Sequence, residues 1–324
     1  MAYLPELSTT ISMDLSEIRA SIRRHTWHFI RVRRSLARTI QVLIRWVPIN
    51  TTEDQRMETQ PTQTHYDEAI KHYTQAIELK PDFAIAYNNR GITYCDKGEI
   101  KHAIDDFNKA IELQPDYAKA YNNRGLAYRN KGDYDQAIAD LNTAIKLNPQ
   151  LAEAYNSRGL AYRSKGELDR AIQDYNRAIE LSPNFAEPYN NRGVVYSSKG
   201  DYDHAIEDLN TAIDLKPQLA VPYGNRGVAY LQKGDYDHAI EDFDKAIQLK
   251  PDYADAYNNR GKAWLCLEEW EKAKSDLTIA QKKGVNIIKA FHNDYKSVSD
   301  FEEKNHVRLR EDIATMLTPS KEVG

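Results

Sequence analysis

The side chains with which this chain could do chemistry are its histidines, its two cysteines and its adjacent carboxylates. His102, His204 and His238 could serve as general bases or metal ligands, and pairs such as Asp105–Asp106 could share a proton or hold a cation. A catalytic or metal constellation is singular, whereas these residues recur: the three histidines occupy one place in three copies of a repeat, and the carboxylate pairs return with it. They therefore read as periodic surface features. His25 and His28 are spaced like a metal pair but have no further ligands, and no phosphate-cradling glycine loop, His-Glu-x-x-His or Cys-x-x-Cys occurs. Cys95 and Cys266 lie five copies apart, too far to bridge in a stacked array, and are read as reduced thiols. The expectation is a protein that is no enzyme, with no catalytic residues, metal, cofactor or small-molecule substrate.

The elements that position these residues come in blocks of 34 that align six times without an insertion: 84–117, 118–151, 152–185, 186–219, 220–253 and 254–287. Position four is always tyrosine (Tyr87 to Tyr257), position eight always glycine (Gly91 to Gly261) and position twenty always alanine. Each block reads as two helices. Gly98, Gly132, Gly166, Gly200 and Gly234 mark the turn between them, where a left-handed residue ends the first helix, and Pro115, Pro149, Pro183, Pro217 and Pro251 end the second. Small side chains allow helices to approach, so Gly91 is expected to face Ala103, with Ala110 a step further and Tyr94, Ile100 and Phe107 filling the space around them. A coiled coil would instead show heptads, without fixed glycine and proline at this spacing.

The pattern Tyr…Gly…Tyr…Ala…Phe/Leu/Tyr…Ala…Pro over 34 residues resembles the tetratricopeptide repeat family, strongly over 84–287. The resemblance implies an all-α fold: a right-handed superhelical solenoid of antiparallel helix hairpins, about six and a half repeats long, whose first helices line a concave groove. The expected organisation is a basic helical or partly disordered segment (1–50), a degenerate or half repeat (51–83), five regular repeats, a divergent sixth (254–287) and C-terminal capping helices with a tail (288–324). In that C-terminal part, Ser299–Glu302 has a capping-box pattern ahead of a short helix, and Ile313 and Leu317 are apolar within a second.

Positions five and six of each first helix give Asn88–Asn89, Asn122–Asn123, Asn156–Ser157, Asn190–Asn191, Gly224–Asn225 and Asn258–Asn259. Carboxamides both donate and accept, so such a row could hold the backbone of an extended peptide, and the resemblance implies that this row contacts peptides. The alternative is that asparagine near a helix N-terminus shapes the entry of the helix. Lys119, Arg129 and Arg163 form an expected basic patch favouring acidic residues in a ligand, followed by an aliphatic stretch; a solvated charged face explains the same residues. The carboxylate clamp of some family members needs lysine at position five and asparagine at position nine, and neither is present.

Arginine stands at position seven and aspartate at position twenty-three of every copy, from Arg90 and Asp106 to Arg260 and Asp276. Each arginine is expected to bridge to an aspartate on a second helix of its own or the preceding repeat, tying helices together at about 0.5 kcal/mol per partly exposed pair.

The formal charge of −4 is unevenly spread: eight arginines against Glu6, Asp14 and Glu17 give residues 1–50 a charge of +5, leaving −9 on the rest. An acidic body argues against nucleic acid as the partner. The expected function is a non-catalytic protein-interaction scaffold in the cytoplasm, holding a peptide or protein segment in its groove. Residues 14–48 interleave arginines with Trp27, Phe29, Leu36, Ile40, Leu43 and Trp46. They could dock on the first repeat or lie on an anionic membrane surface, and the second case would make the protein a membrane-associated assembly factor.

Overall fold

A computed structural model describes residues 63–319, and every element among them is helical. The chain divides into two compact units between Pro115 and Asp116. The first contains α1 (Gln63–Leu79), α2 (Ala84–Asp96) and α3 (Ile100–Leu113), with α1 packed on α2 through Tyr73, Ala76 and Ala86.

The second unit contains five hairpins: α4 (Ala118–Lys131) with α5 (Tyr134–Leu147), α6 (Ala152–Ser164) with α7 (Leu168–Leu181), α8 (Ala186–Ser198) with α9 (Tyr202–Leu215), α10 (Ala220–Lys233) with α11 (Tyr236–Leu249), and α12 (Ala254–Cys266) with α13 (Trp270–Lys282). Each hairpin packs on the next through its second helix and the following first helix. Successive first helices also touch one another directly, while successive second helices hardly do, so the stack curves toward the first-helix side. This is the solenoid of antiparallel hairpins that the 34-residue spacing predicts.

Glycine ends the first helices as expected. Gly132 adopts φ 89°, and the following Asp133 N–H reaches back to Tyr128 C=O at 2.9 Å, closing a Schellman turn. In the divergent last hairpin Glu268 takes the glycine's place at φ 58° and Glu269 N–H still reaches Trp264 C=O at 3.0 Å, so the packing imposes the turn on a residue that disfavours it. Second helices are capped by Asp133, Asp201 and Asp235.

The position-eight glycines meet the second helix most closely at a large side chain. A Cβ on Gly91 would lie 2.7 Å from Phe107 Cε1, and one on Gly125 would lie 2.8 Å from Leu141 Cγ. The glycine thus makes room for the large, buried side chain at position twenty-four of the repeat, and the position-twenty alanine faces it as well, as where Ala137 O would lie 3.1 Å from that same Gly125 Cβ.

After α13, α14 (Ile287–Asp294), α15 (Val298–Asn305) and α16 (Glu311–Leu317) close one apolar cluster in which Leu265 and Leu277 meet Phe291, Phe301, Ile313 and Leu317. The cap of α15 is Ser297 rather than Ser299: its hydroxyl accepts from Asp300 N–H at 3.0 Å, and Asp300 reaches back to Lys296 N–H at 2.8 Å. Burial of Phe301 fixes that earlier start.

Candidate peptide-binding wall

Each first helix divides its residues by chemistry. Arginine at position seven points to the second helices. Arg192 Nε and Nη2 donate to the two carboxylate oxygens of Asp208 at 2.7 and 2.6 Å, and Nη1 donates to Asn176 of the preceding hairpin at 2.5 Å. The two-point grip recurs from Arg90–Asp106 to Arg260–Asp276, so the pairing expected from the recurrence is present in all six copies. The exposure differs from expectation: the Asp208 side chain is 7% exposed and that of Arg192 19%. The pair is therefore mostly desolvated, and the small value of a surface bridge does not describe it. Burial pushes the Asp208 and Asp242 carboxyls above the usual aspartate range despite their arginines.

The histidines belong to the second-helix starts. His204 Nδ1 lies 2.8 Å from Asp201 Oδ2 and its ring rests against Tyr196; His238 repeats the arrangement with Asp235 and Tyr230. The bond to aspartate raises both imidazoles above their ordinary value. No group of three potential metal ligands occurs among the described residues. Both cysteines are free, and burial pushes each thiol up to about 11, which leaves them protonated and unreactive near neutrality.

The asparagine row splits in two. Asn88, Asn122, Asn156 and Asn258 at position five are buried, and Asn190 is half-buried; Asn89, Asn123, Asn191, Asn225 and Asn259 at position six are half-buried, while Ser157 is buried. The position-five side chains thus do not form an open wall, because successive first helices close over them. They bond to their neighbours instead. Within a copy, position five donates to position six, as Asn122 Nδ2 to Asn123 Oδ1 at 3.2 Å and Asn258 Nδ2 to Asn259 Oδ1 at 3.2 Å. Between copies, position six donates back to position five: Asn191 to Asn156 at 3.0 Å and Asn225 to Asn190 at 2.8 Å.

This ladder stops wherever one residue type changes. Ser157 is too short to reach back, and Asn122 Oδ1 is buried without a partner. Asn258 Oδ1 is likewise unpartnered, because no further copy follows it. At Gly224 the position-five carboxamide is missing, with the Tyr253 ring so close that a Cβ there would meet Cε1 at 3.0 Å. Asn225 Oδ1 and Asn259 Nδ2, on either side of that gap, enter no hydrogen bond among the described residues.

The expected basic patch also divides. Arg129 and Arg163 occupy position twelve of α4 and α6, half-buried, and lie close enough that Arg163 disfavours the charge on Arg129. Exposed Lys119 stands ten residues earlier on α4, about 15 Å away along the helix, and does not join them. The aliphatic stretch is partly present as exposed Val221 and half-buried Leu231, whereas Leu265 is sealed beneath the C-terminal helices. Lys262 is buried on Ala290 C=O and Asp294.

Residues 65–98, 93–132, 125–164, 159–200 and 229–265 match the family model described as TPR repeat, and residues 186–219 match that described as Tetratricopeptide repeat. The chain belongs to the tetratricopeptide repeat family. Among solved structures, this tetratricopeptide repeat protein is similar to a chain of the APC/C hetero-tetramer Cut9–Hcn1, at TM-score 0.65 and 22% identity over 83% of this chain and 52% of that one. It thus spans about half the length of that neighbour. It is also similar to a tetratricopeptide repeat protein from Parabacteroides merdae (TM-score 0.57, 23% identity, 78% of this chain and 94% of that one). A third similar structure is pilF of Pseudomonas aeruginosa (TM-score 0.55, 18% identity, 71% and 99%). At these identities the likeness establishes the fold. No curated protein matches the chain.

Tetratricopeptide repeats typically serve as scaffolds for protein–protein interaction, and the part played by this one follows from its wall. No helix among the described residues is long and apolar enough to cross a membrane. The arginine-rich segment 14–48, on which the membrane reading depends, lies outside the described residues.

Proposed function

We propose that this protein is a non-catalytic scaffold that holds an extended segment of another protein along the first-helix wall of its second unit. The observation that carries this reading is the gap in the carboxamide ladder at Gly224. It leaves an acceptor, Asn225 Oδ1, and a donor, Asn259 Nδ2, half-buried one repeat apart with no internal partner. An extended peptide presents alternating C=O and N–H groups, which need one donor and one acceptor at such a step. Exposed Val221, one helical turn before Asn225, offers apolar surface beside it. The buried position-five asparagines take the structural part in this reading, and Asn191, Asn225 and Asn259 the contacting part. Asn89 of the first unit and Asn123 are further position-six members.

Peptides selected from a phage-displayed library on the full-length protein, then measured by calorimetry, test the reading. The Asn225→Ala/Asn259→Ala variant is expected to weaken such peptides about tenfold, since two hydrogen bonds to the peptide are lost, while its thermal midpoint falls modestly because Asn190 and Asn258 lose their ladder partners. A library that yields no binder, or binders indifferent to both changes, would reject it.

A further inference from the structure

Six side chains fill the spaces beside the position-eight glycines: Phe107, Leu141, Tyr175, Leu209, Phe243 and Leu277. Only Tyr175 carries a polar atom. Its ring is fully buried and lies so close to Gly159 that a Cβ there would meet Cε1 at 2.6 Å. The hydroxyl has no hydrogen-bond partner among the described residues. Phenylalanine fills the same space in two other copies, so the hydroxyl is not needed for packing, and leaving it unpaired costs about 1–3 kcal/mol.

The first helices on this side carry the other irregularity of the array. Position twelve is Cys95, Ser197, Leu231 or Leu265 elsewhere, but Arg129 and Arg163 on the neighbouring helices α4 and α6. Every position-seven arginine grips a carboxylate at two points; these two grip none among the described residues. The one hydrogen bond from Arg129 goes to Asn130 Oδ1 at 2.8 Å. Arg163 stands one helical turn beyond Gly159, whose neighbouring space the Tyr175 ring fills, and Arg129 holds the same position on the packed helix α4, so the three groups gather in one place, where both guanidinium charges act on the Tyr175 hydroxyl. Burial first, and then the charge of Arg163, holds Arg129 below its ordinary value. Burial pushes the Tyr175 phenol up to about 12, so it stays a proton donor. Two like charges held together over an unused donor form an arrangement that an anion would complete.

We infer that Arg129, Arg163 and Tyr175 form a receptor for a carboxylate group of the bound peptide, with the two guanidiniums gripping its oxygens from the wall and, as they turn toward it, opening the buried phenol to donate from beneath. A carboxylate has about four lone-pair sites and can take all three donors at once. Lys119 has no part in it. The inference rests on the peptide-binding reading above and adds a chemical preference to one stretch of the wall. The carboxylate can come from an acidic side chain or from a chain terminus, and the probes below separate the two.

The test uses the full-length protein at about 150 mM salt, where long-range attraction is screened. Three labelled decamers are compared by fluorescence anisotropy: oligoglutamate with an amidated C-terminus, a Gly-Ser peptide with a free C-terminus, and the same Gly-Ser peptide amidated. Arg129→Gln/Arg163→Gln is expected to weaken the acidic probe that binds by about tenfold, and Tyr175→Phe by about fivefold. Lys119→Gln should change affinity less than about twofold. The decisive split lies in Tyr175→Phe: its thermal midpoint should equal or exceed that of the unchanged protein, because an unpaired buried hydroxyl has been removed. A lower midpoint with unchanged affinity would make the hydroxyl structural and overturn the inference. So would equal losses from Lys119→Gln and the arginine variant, which mark diffuse charge attraction, or the absence of binding by either acidic probe. If the library-selected peptides still bind through Asn225 and Asn259 in those cases, the receptor fails while the scaffold reading stands.

Discussion

Replacing Ser157 with asparagine should make the protein more stable, and the ladder supplies the magnitude. Asn191 and Asn225 at position six each donate to position five of the preceding copy, to Asn156 at 3.0 Å and to Asn190 at 2.8 Å. Ser157 does not, and Asn122 Oδ1 is left buried and unpartnered. An orphaned buried acceptor costs about 1–3 kcal/mol. The longer side chain gives up about 1 kcal/mol of rotamer freedom. The net gain expected for Ser157→Asn is therefore about 1 kcal/mol, and Asn191→Ser should lose about as much by orphaning Asn156. Urea denaturation followed by far-ultraviolet circular dichroism gives the shift in midpoint. Stacked repeats need not unfold in a single step, so amide exchange in α4 and α6 should localise the gain. The Asn122→Ala background is the control: the same substitution should then contribute nothing. A destabilising Ser157→Asn, or a gain that persists in that background, would refute the ladder as the reason.

Gly227→Ala would bring a Cβ to 2.7 Å from Phe243 Cε1, and overpacking of that kind should cost about 1–3 kcal/mol in thermal or chemical melts. Asp208→Asn leaves the mostly buried Arg192 with a neutral partner and should cost about 3 kcal/mol, well above a surface bridge; a double-mutant cycle with Arg192→Met measures the coupling, and a value below about 0.5 kcal/mol would return the pair to the surface class. His204 and His238 have folded values raised by Asp201 and Asp235, so their stabilising contribution is complete below about pH 6.5 and is lost as pH rises through the raised values. The double His204→Gln/His238→Gln variant should accordingly be less stable than the unchanged protein near pH 5.5 and equal to it by about pH 9, as read from melts across that range.

The repeat was legible in the sequence because its causes are local and recur: a left-handed glycine turn, a proline stop, and an arginine and aspartate that never change. Recurrence, however, reveals that two residues matter without saying on which side of the helix they matter. Gly91 and Ala103 are both small and both invariant in type, which points to a close helix approach without showing that the room beside the glycine is taken up by the Phe107 ring. The asparagines misled in a related way. Positions five and six are adjacent and chemically identical, yet about 100° of helical rotation separates them, enough to bury Asn122 and leave Asn123 half-open. Burial of the Asp208 carboxylate could not be read from a chain this rich in surface charge, and the start of α15 at Ser297 was set by the apolar contact of Phe301 rather than by the local cap pattern.

What never varies along a solenoid and what varies once have different explanations. An element required in every copy is required by stacking, and the Arg192–Asp208 grip, the Tyr189 contact and the turn glycines satisfy that need wherever they occur. A residue that departs from the pattern in one copy without improving the packing needs another reason. Tyr175 adds a hydroxyl that its space does not use, Arg129 and Arg163 add charges that nothing among the described residues balances, and Gly224 removes a rung whose neighbours then lack partners. Each departure costs stability, and they fall in the second unit, all of them on the first helices except Tyr175, whose ring lies against Gly159 of the first helix α6. A surface shaped only by folding would spread such costs over both helices of the hairpin. Their concentration on one side is what a wall adapted to one ligand would show, with a carboxylate held near α4 and α6 and a backbone amide held near α10 and α12.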